Sequence, residues 1–261
     1  QSQIINLIME FASQNADINV SLSALGLLWN LASIAKTPEM WKLIFSKTAP
    51  LIADARNDVS ICAVNTFFSL IISNAELLTE DVFQYLASDL FASIVDSLVE
   101  ERESSEATQQ LAFHELAHCG RTLWSKFKEV EMFPDLFWRK MISEHEKFIY
   151  RCKKREIVLS SFLFYEELFM NHELSPQIIT FTFDSLDRIV DFLLSHESAN
   201  SPVFGSFGRL IRNGMPEQKS MMTVDFLKRW IKISERLIFE LDRDGFLPPT
   251  AHKSLDAFLL L

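Results

Sequence analysis

Glycine and proline are scarce, at 6 and 8 of 261 residues. Strand-rich folds use both at their many tight turns, so the shortage argues against a sandwich or barrel and for helices joined by short connections. Cysteine is scarcer still. Cys62, Cys119 and Cys152 are far apart, odd in number and form no CxxC pair, which excludes a disulfide framework and points to a reducing compartment. No basic leader opens the chain, which starts Gln1-Ser2-Gln3 without Met and stops abruptly at Leu259-Leu260-Leu261. The expectation is a piece of a longer cytosolic protein. No apolar run reaches the ~20 residues that a membrane span needs; the longest, Leu22 to Ala35, is interrupted by Asn30 and Ser33. A basic excess is missing too. With a net charge of −10, the chain lacks the cations that neutralise phosphates in general nucleic-acid binding.

What is present is apolar surface. Hydrophobic residues make up 48% of the chain and include 23 Phe, enough to exclude intrinsic disorder. Charge is uneven: residues 1–120 hold 5 basic and 15 acidic residues, whereas 121–261 hold 20 of each.

Helical spacing dominates, as in Leu22, Leu25, Gly26, Leu28, Trp29 and in Val59, Cys62, Ala63, Thr66, Phe67, Leu70. Start signals stand at Asp17, Asp58, Thr79 with Asp81, and Ser175-Pro176. Stop signals stand at Asn74, Asn171, Asn213-Gly214 and Gly245. The pattern predicts helices over 3–15, 18–35, 38–54, 58–73, 79–101, 106–128, 133–150, 154–171, 175–196, 217–242 and 250–260. Weak points fall at 100–105 and at the Gly/Ser/Pro-rich 198–216, with a short turn near Phe207–Arg212.

An internal repeat is the most informative feature. Asn19–Leu31 aligns without gaps onto Asp58–Leu70 at an offset of 39, and Glu156–Leu168 fits the same template at an offset of 137. The shared pattern is a polar cap, an aliphatic, small residues at the fifth and sixth places, then large apolar ones. A period near 40 with two helices per unit is the size of HEAT or armadillo repeats, in which each pair buries its apolar face only against its neighbours. The expected fold is therefore all-α: one domain over 1–261, a HEAT/armadillo-like α-solenoid, with antiparallel helix pairs coiled into a right-handed superhelix.

Motifs that carry chemistry are few. His114-Glu115-Leu116-Ala117-His118 is a formal H-E-x-x-H, the spacing that sets two imidazoles on one helix face around zinc. Its context argues against that role. The apolar stripe runs through Phe113, Leu116, Ala117, Gly120, Leu123, Trp124 and Phe127, so both histidines are expected on a solvated face. Arg121 and Trp124 stand where the longer metzincin motif needs Gly and His. Glu129 and Glu131 lie too close before Pro134 to supply a third ligand. No phosphate-cradling or nucleophile-elbow motif occurs, since Gly205-Ser-Phe-Gly208 has the wrong spacing. Paired acids such as Glu100-Glu101, Glu166-Glu167 and Asp184/Asp187 read as solvated helix positions. No catalytic, metal or cofactor site is expected.

A basic run offers a candidate surface. Lys126, Lys128, Arg139, Lys140, Lys147, Arg151, Lys153, Lys154 and Arg155 cluster in two helices and the turn after them. Such a cluster suits anionic lipid headgroups or an acidic protein partner; the simpler reading is a solvated face with Arg151–Arg155 complementing a helix C-terminus. Trp29, Trp124 and Phe68 fall on apolar stripes. Trp41, Trp138 and Trp230 fit core positions as well, or anchors on a groove.

Ile18–Asn30 resembles the C-terminal region of the Mon-two (monensin-sensitivity) family, large relatives of the Golgi Arf guanine-nucleotide exchange factors. The likeness continues in order through Asp58–Ser69, Gln110–Phe127 and Glu156–Phe169, about two-thirds of the chain. The resemblance implies a non-catalytic helical-repeat scaffold on the cytoplasmic face of the trans-Golgi network and endosomes. By the same resemblance its partners would be a Dopey-family protein, an Arf-like GTPase and an aminophospholipid flippase, with peripheral membrane contact and no nucleic acid. No enzymatic residues carry over. The rival expectations are another solenoid adaptor, of nuclear transport or a phosphatase, and a zinc hydrolase built on His114, Glu115 and His118.

Overall fold

The computed structural model describes residues 2–100, 105–128, 137–152, 154–169 and 175–196, with the isolated positions 228 and 232. The helices expected over 217–242 and 250–260, the interruption at 198–216 and Trp230 lie outside the described residues.

Among the described residues every regular element is helical. α1 (Ser2–Ser13) leads to α2 (Ile18–Ile34), where the Asp17 carboxylate accepts from the Asn19 amide at 2.8 Å. Such a cap satisfies one of the amides left over at a helix start. Thr37 caps α3 (Pro38–Thr48), which tightens into a 3-10 turn over Ala49–Ala53. Pro50, with no N–H to donate, ends the α-helical pattern there rather than at the expected residue 54. α4 (Asn57–Ser73) starts one residue before Asp58, which sits in the first turn, and Asn74 ends it by donating from its amide to the Leu70 carbonyl at 2.8 Å.

The helix expected over 79–101 is continuous but not uniform. α5 (Glu80–Tyr85) passes through a π turn, Leu86–Leu90, into α6 (Phe91–Glu100). The buried pairs Val82/Phe83, Leu86/Ala87, Leu90/Phe91 and Ile94/Val95 recur every four residues. On a helix of 3.6 residues per turn such a pattern drifts by ~40° each turn; the wider π turn takes up part of that drift and keeps the pairs facing the core.

Ser105 caps α7 (Glu106–Thr122), accepting from the Thr108 amide at 3.2 Å. α7 breaks at Leu123 before the single-turn α8 (Trp124–Phe127), where the sequence pattern predicts one helix. α9 (Trp138–Arg151), α10 (Arg155–Phe169) and α11 (Pro176–His196) complete the described chain, and Ser175 caps α11 as expected.

The helices lie in two layers. In one, α2 packs on α4, α4 on α7 and α7 on α10. In the other, α1 packs on α3, α3 on α5, α6 on α9 and α9 on α11. The three matched sequence segments are α2, α4 and α10, all in the same layer. Their third, sixth, seventh, tenth and thirteenth places are buried in every copy: Ser21, Ser60 and Val158; Ala24, Ala63 and Ser161; Leu25, Val64 and Phe162; Leu28, Phe67 and Tyr165; Leu31, Leu70 and Leu168. Ser21 donates to the Gln14 carbonyl and Ser60 to the Ile52 carbonyl, so each buried hydroxyl is satisfied by the connection that precedes its own helix. Of the two small places, only the sixth is buried in all three; at the fifth, Ser23 is exposed and Cys62 half-buried.

Phenylalanine joins the layers. A chain of ring contacts runs Trp41–Phe45–Phe67–Phe68–Phe91–Phe137–Trp138, with centroids 5.1–6.3 Å apart. Each such pair adds about 0.5–1.5 kcal/mol to the burial of its rings. Trp41, Trp138, Trp124 and Phe68 are buried. Trp29 is not. It is 43% exposed, which corrects its placement in the core. The matched place in α4 is Phe68, fully buried.

Candidate interaction surface

The basic residues occupy two settings. On α9 the buried stripe is Trp138, Met141, Ile142, His145, Phe148 and Ile149. Lys140, Lys147 and Arg151 follow at i, i+7 and i+11 on the opposite face. Arg139 is on a flank, its guanidinium 5.2 Å from the centre of the Phe181 ring of α11. Lys126 on α8 and Lys128 just after it are exposed, as is Lys154 between α9 and α10. The side chains of Lys153 and Arg155 lie outside the described residues.

Several of these cations already face acids. Lys126 is 3.4 Å from Glu76, Lys140 is 2.7 Å from Asp96 and Lys147 is 2.6 Å from Glu144. Exposed pairs of this kind contribute about 0–1 kcal/mol, so each lysine can exchange its carboxylate for an anionic partner at little cost. The acidic first half of the sequence thus supplies part of the counter-charge, through Glu76 and Asp96.

The histidine motif sits elsewhere. His114 and His118 stack 6.3 Å apart on α7, but they do not face open solvent as expected. They are half-buried where α7 meets α10. His118 Nδ1 is 3.3 Å from Glu167 Oε2, His114 Nε2 is 3.9 Å from Glu167 Oε1, and His114 Nδ1 is 3.3 Å from Glu115 Oε1. Arg121 Nε donates to Glu167 Oε2 at 2.5 Å. A helix in a layer is covered on its flanks as well as on its core side, and the wheel that separates core from solvent does not register the flanks. The bond to the Glu115 carboxylate raises the His114 pKa above its ordinary value against the opposing effect of burial, and the same bond lowers that of Glu115. Glu167, three helices on from α7 in sequence and invisible in the motif, is the shared acceptor. Its carboxylate already holds the Arg121 cation, and among the described residues no three His, Cys, Asp or Glu side chains are placed to hold one metal ion.

A second polar cluster escaped the sequence reading altogether. Glu146 of α9 accepts from Arg188 and Ser185 of α11 and from Tyr150 one turn along its own helix, at 2.6–2.7 Å. The signal was present only as Glu146 on the edge of an otherwise apolar stripe. An open cleft of about 410 Å³ lies between α9 and the start of α11, lined by Arg139, Pro176, Gln177, Thr180, Phe181 and Asp184. No described helix is long and apolar enough to cross a membrane.

Comparison with known proteins gives one finding of weight. No protein-family profile matches the chain, and no solved structure matches it. The chain is similar to Protein MON2 homolog of Drosophila melanogaster, with 22% identity over 155 aligned residues; the match covers 47% of this chain and 9% of that protein's length.

Proposed function

We propose that the chain is a non-catalytic protein-interaction scaffold of Golgi and endosomal vesicle traffic, built as a single HEAT/armadillo-type solenoid with a right-handed superhelix. The observation that carries this reading is the similarity to the MON2 homolog. The shared layer of α2, α4 and α10 supports it, because equivalent segments in equivalent places are what a repeat array requires. Function in such an array comes from an extended surface with a few anchors rather than from a deep reactive pocket.

The exposed cations of α8, α9 and the turn after α9 form the surface for an acidic partner or for anionic lipid at the cytoplasmic face of trans-Golgi and endosomal membranes. By resemblance, the protein partners are a Dopey-family protein, an Arf-like GTPase and an aminophospholipid flippase. Affinity capture from cytosol, with and without GTP-loaded Arf-family proteins, tests the reading. Golgi and endosomal traffic components are the expected yield. Nuclear-transport cargo or phosphatase subunits in their place would assign the chain to a different class of solenoid adaptor. Stoichiometric zinc in protein purified without an affinity tag would instead revive a hydrolase at His114, Glu115 and His118.

A further inference from the structure

Eight of the ten large apolar side chains that stand exposed among the described residues belong to α1 and α2. They are ordered. Ile4, Leu7 and Phe11 follow at i, i+3 and i+7 along one flank of α1, each at least half exposed; Val20, Leu27 and Ile34 follow every seven residues along one flank of α2, with Leu27 at 46%. Residues 1–35 carry only two charged side chains, Glu10 and Asp17. Repeat arrays that end in water cover their last pair with a polar outer face, whereas these two flanks are apolar and the exposed polar residues, such as Asn6 and Glu10 on α1 and Ser23 and Asn30 on α2, lie beside them.

The repeat itself states what belongs there. The places of Val20 and Leu27 in the template are Val59 and Thr66 in α4 and Ile157 and Phe164 in α10. Val59, Thr66 and Phe164 are buried and Ile157 is half-buried. In α10 this flank faces the preceding helix of its layer: Phe164 meets Phe113 of α7 with centroids 6.2 Å apart, and the adjoining Glu167 bonds Arg121. The flank left open on α2 is therefore the one that elsewhere in this layer receives the previous helix, and its residues are of the kind buried at those junctions.

We infer that the α1–α2 face is a stacking junction occupied by one more helix pair of the same repeat type, carried on polypeptide N-terminal to Ser2 and packed as α2 packs on α4. The inference rests on the solenoid reading above. Its chemistry is apolar, with almost no charge to steer or oppose the contact, so its occupant must itself present an aliphatic flank.

The test is thiol accessibility in the natural full-length polypeptide, with single substitutions Leu27→Cys, Thr66→Cys and Leu77→Cys read site by site by mass spectrometry. Leu77, at 63% exposure in the connection after α4, is the open control. The expected result is labelling at 27 and at 66 at least roughly tenfold slower than at 77, independent of protein concentration. Rapid labelling at 27 with protection at 66 would overturn the junction while leaving the stack intact; rapid labelling at both would remove the stacked reading on which it rests. Protection at 27 that appears only as concentration rises would give the face to a second copy of the chain and overturn the inference, as would a natural polypeptide without helical sequence ahead of Ser2.

Discussion

Arg188 grips Glu146 through two parallel bonds, Nε to Oε1 and Nη2 to Oε2, each 2.7 Å, and so ties α11 to α9. Bidentate pairs of this geometry are the strong form of the ion pair. Burial by itself raises the Glu146 pKa, but the bonds from Arg188, Tyr150 and Ser185 outweigh it and hold the carboxyl below its ordinary value. Arg188→Ala is predicted to destabilise the fold by about 1–3 kcal/mol, limited because Arg188 is half exposed and water can replace part of what is lost. Urea denaturation of Arg188→Ala, Glu146→Gln and the double variant measures the coupling. Fully additive effects would show that the pair is incidental.

His145 supplies a pH prediction. The imidazole is fully buried among Phe113, Phe148, Phe164 and Tyr165, with both ring nitrogens unpaired. Burial pushes its pKa down to about 3. Its folded-state pKa therefore lies below its unfolded value of ~6.5, the unfolded chain binds the extra proton, and stability present above that value is lost as pH falls towards 3. Between pH 7 and 5 this group alone removes about 2 kcal/mol. His145→Leu should be at least as stable as the parent at pH 7, since it deletes two unsatisfied polar atoms, and should lose that much less stability on going to pH 5. Parallel pH profiles for the two proteins would contradict the assignment.

Arg56 locks the first pair to the rest. Its guanidinium bonds Asp54, the Gln14 carbonyl at the end of α1 and the Ser21 hydroxyl of α2. Arg56→Ala is predicted to cost about 1–3 kcal/mol. Hydrogen exchange should quicken over α1 and α2 while α7 and α10 keep their protection. A uniform change along the chain would show that the contact is not local.

Charge reversal at Lys147, Arg151 and Lys154 should leave stability within about 1 kcal/mol of the parent, because these are exposed positions. Capture of an acidic partner, or co-sedimentation with anionic vesicles, should fall sharply. Unchanged binding to both would remove the basic face from the account.

The helices and their order were legible because the signals are local. Asp17 and Ser175-Pro176 mark starts, Asn74 marks a stop, and the 39-residue offset between α2 and α4 foretells that they share a layer. The histidine pair was misjudged because its partner, Glu167, is 49 residues from His118 and only stacking brings them together. Trp29 was misjudged for the converse reason. It has the pattern of a core residue, but exposure depends on which neighbours a helix has. The π turn at Leu86–Leu90 is written in a strict four-residue recurrence that a 3.6-residue template matches closely enough to hide.

The central claim is that equivalent segments sit at successive places in one layer, and three exposed residues at the same template place allow it to be measured. Gly26, Asn65 and Leu163 are all exposed on α2, α4 and α10, and a side chain added at Gly26 meets nothing within 4 Å. Spin labels on cysteines placed there, with Cys62 and Cys152 replaced by Ser, report helix spacing directly. Neighbouring helix axes lie ~8–10 Å apart. The account predicts about one step between 26 and 65, about two between 65 and 163 across α7, and about three, ~25–30 Å, between 26 and 163. A 26–163 distance no longer than that between 26 and 65 would mean a closed bundle, and would contradict it.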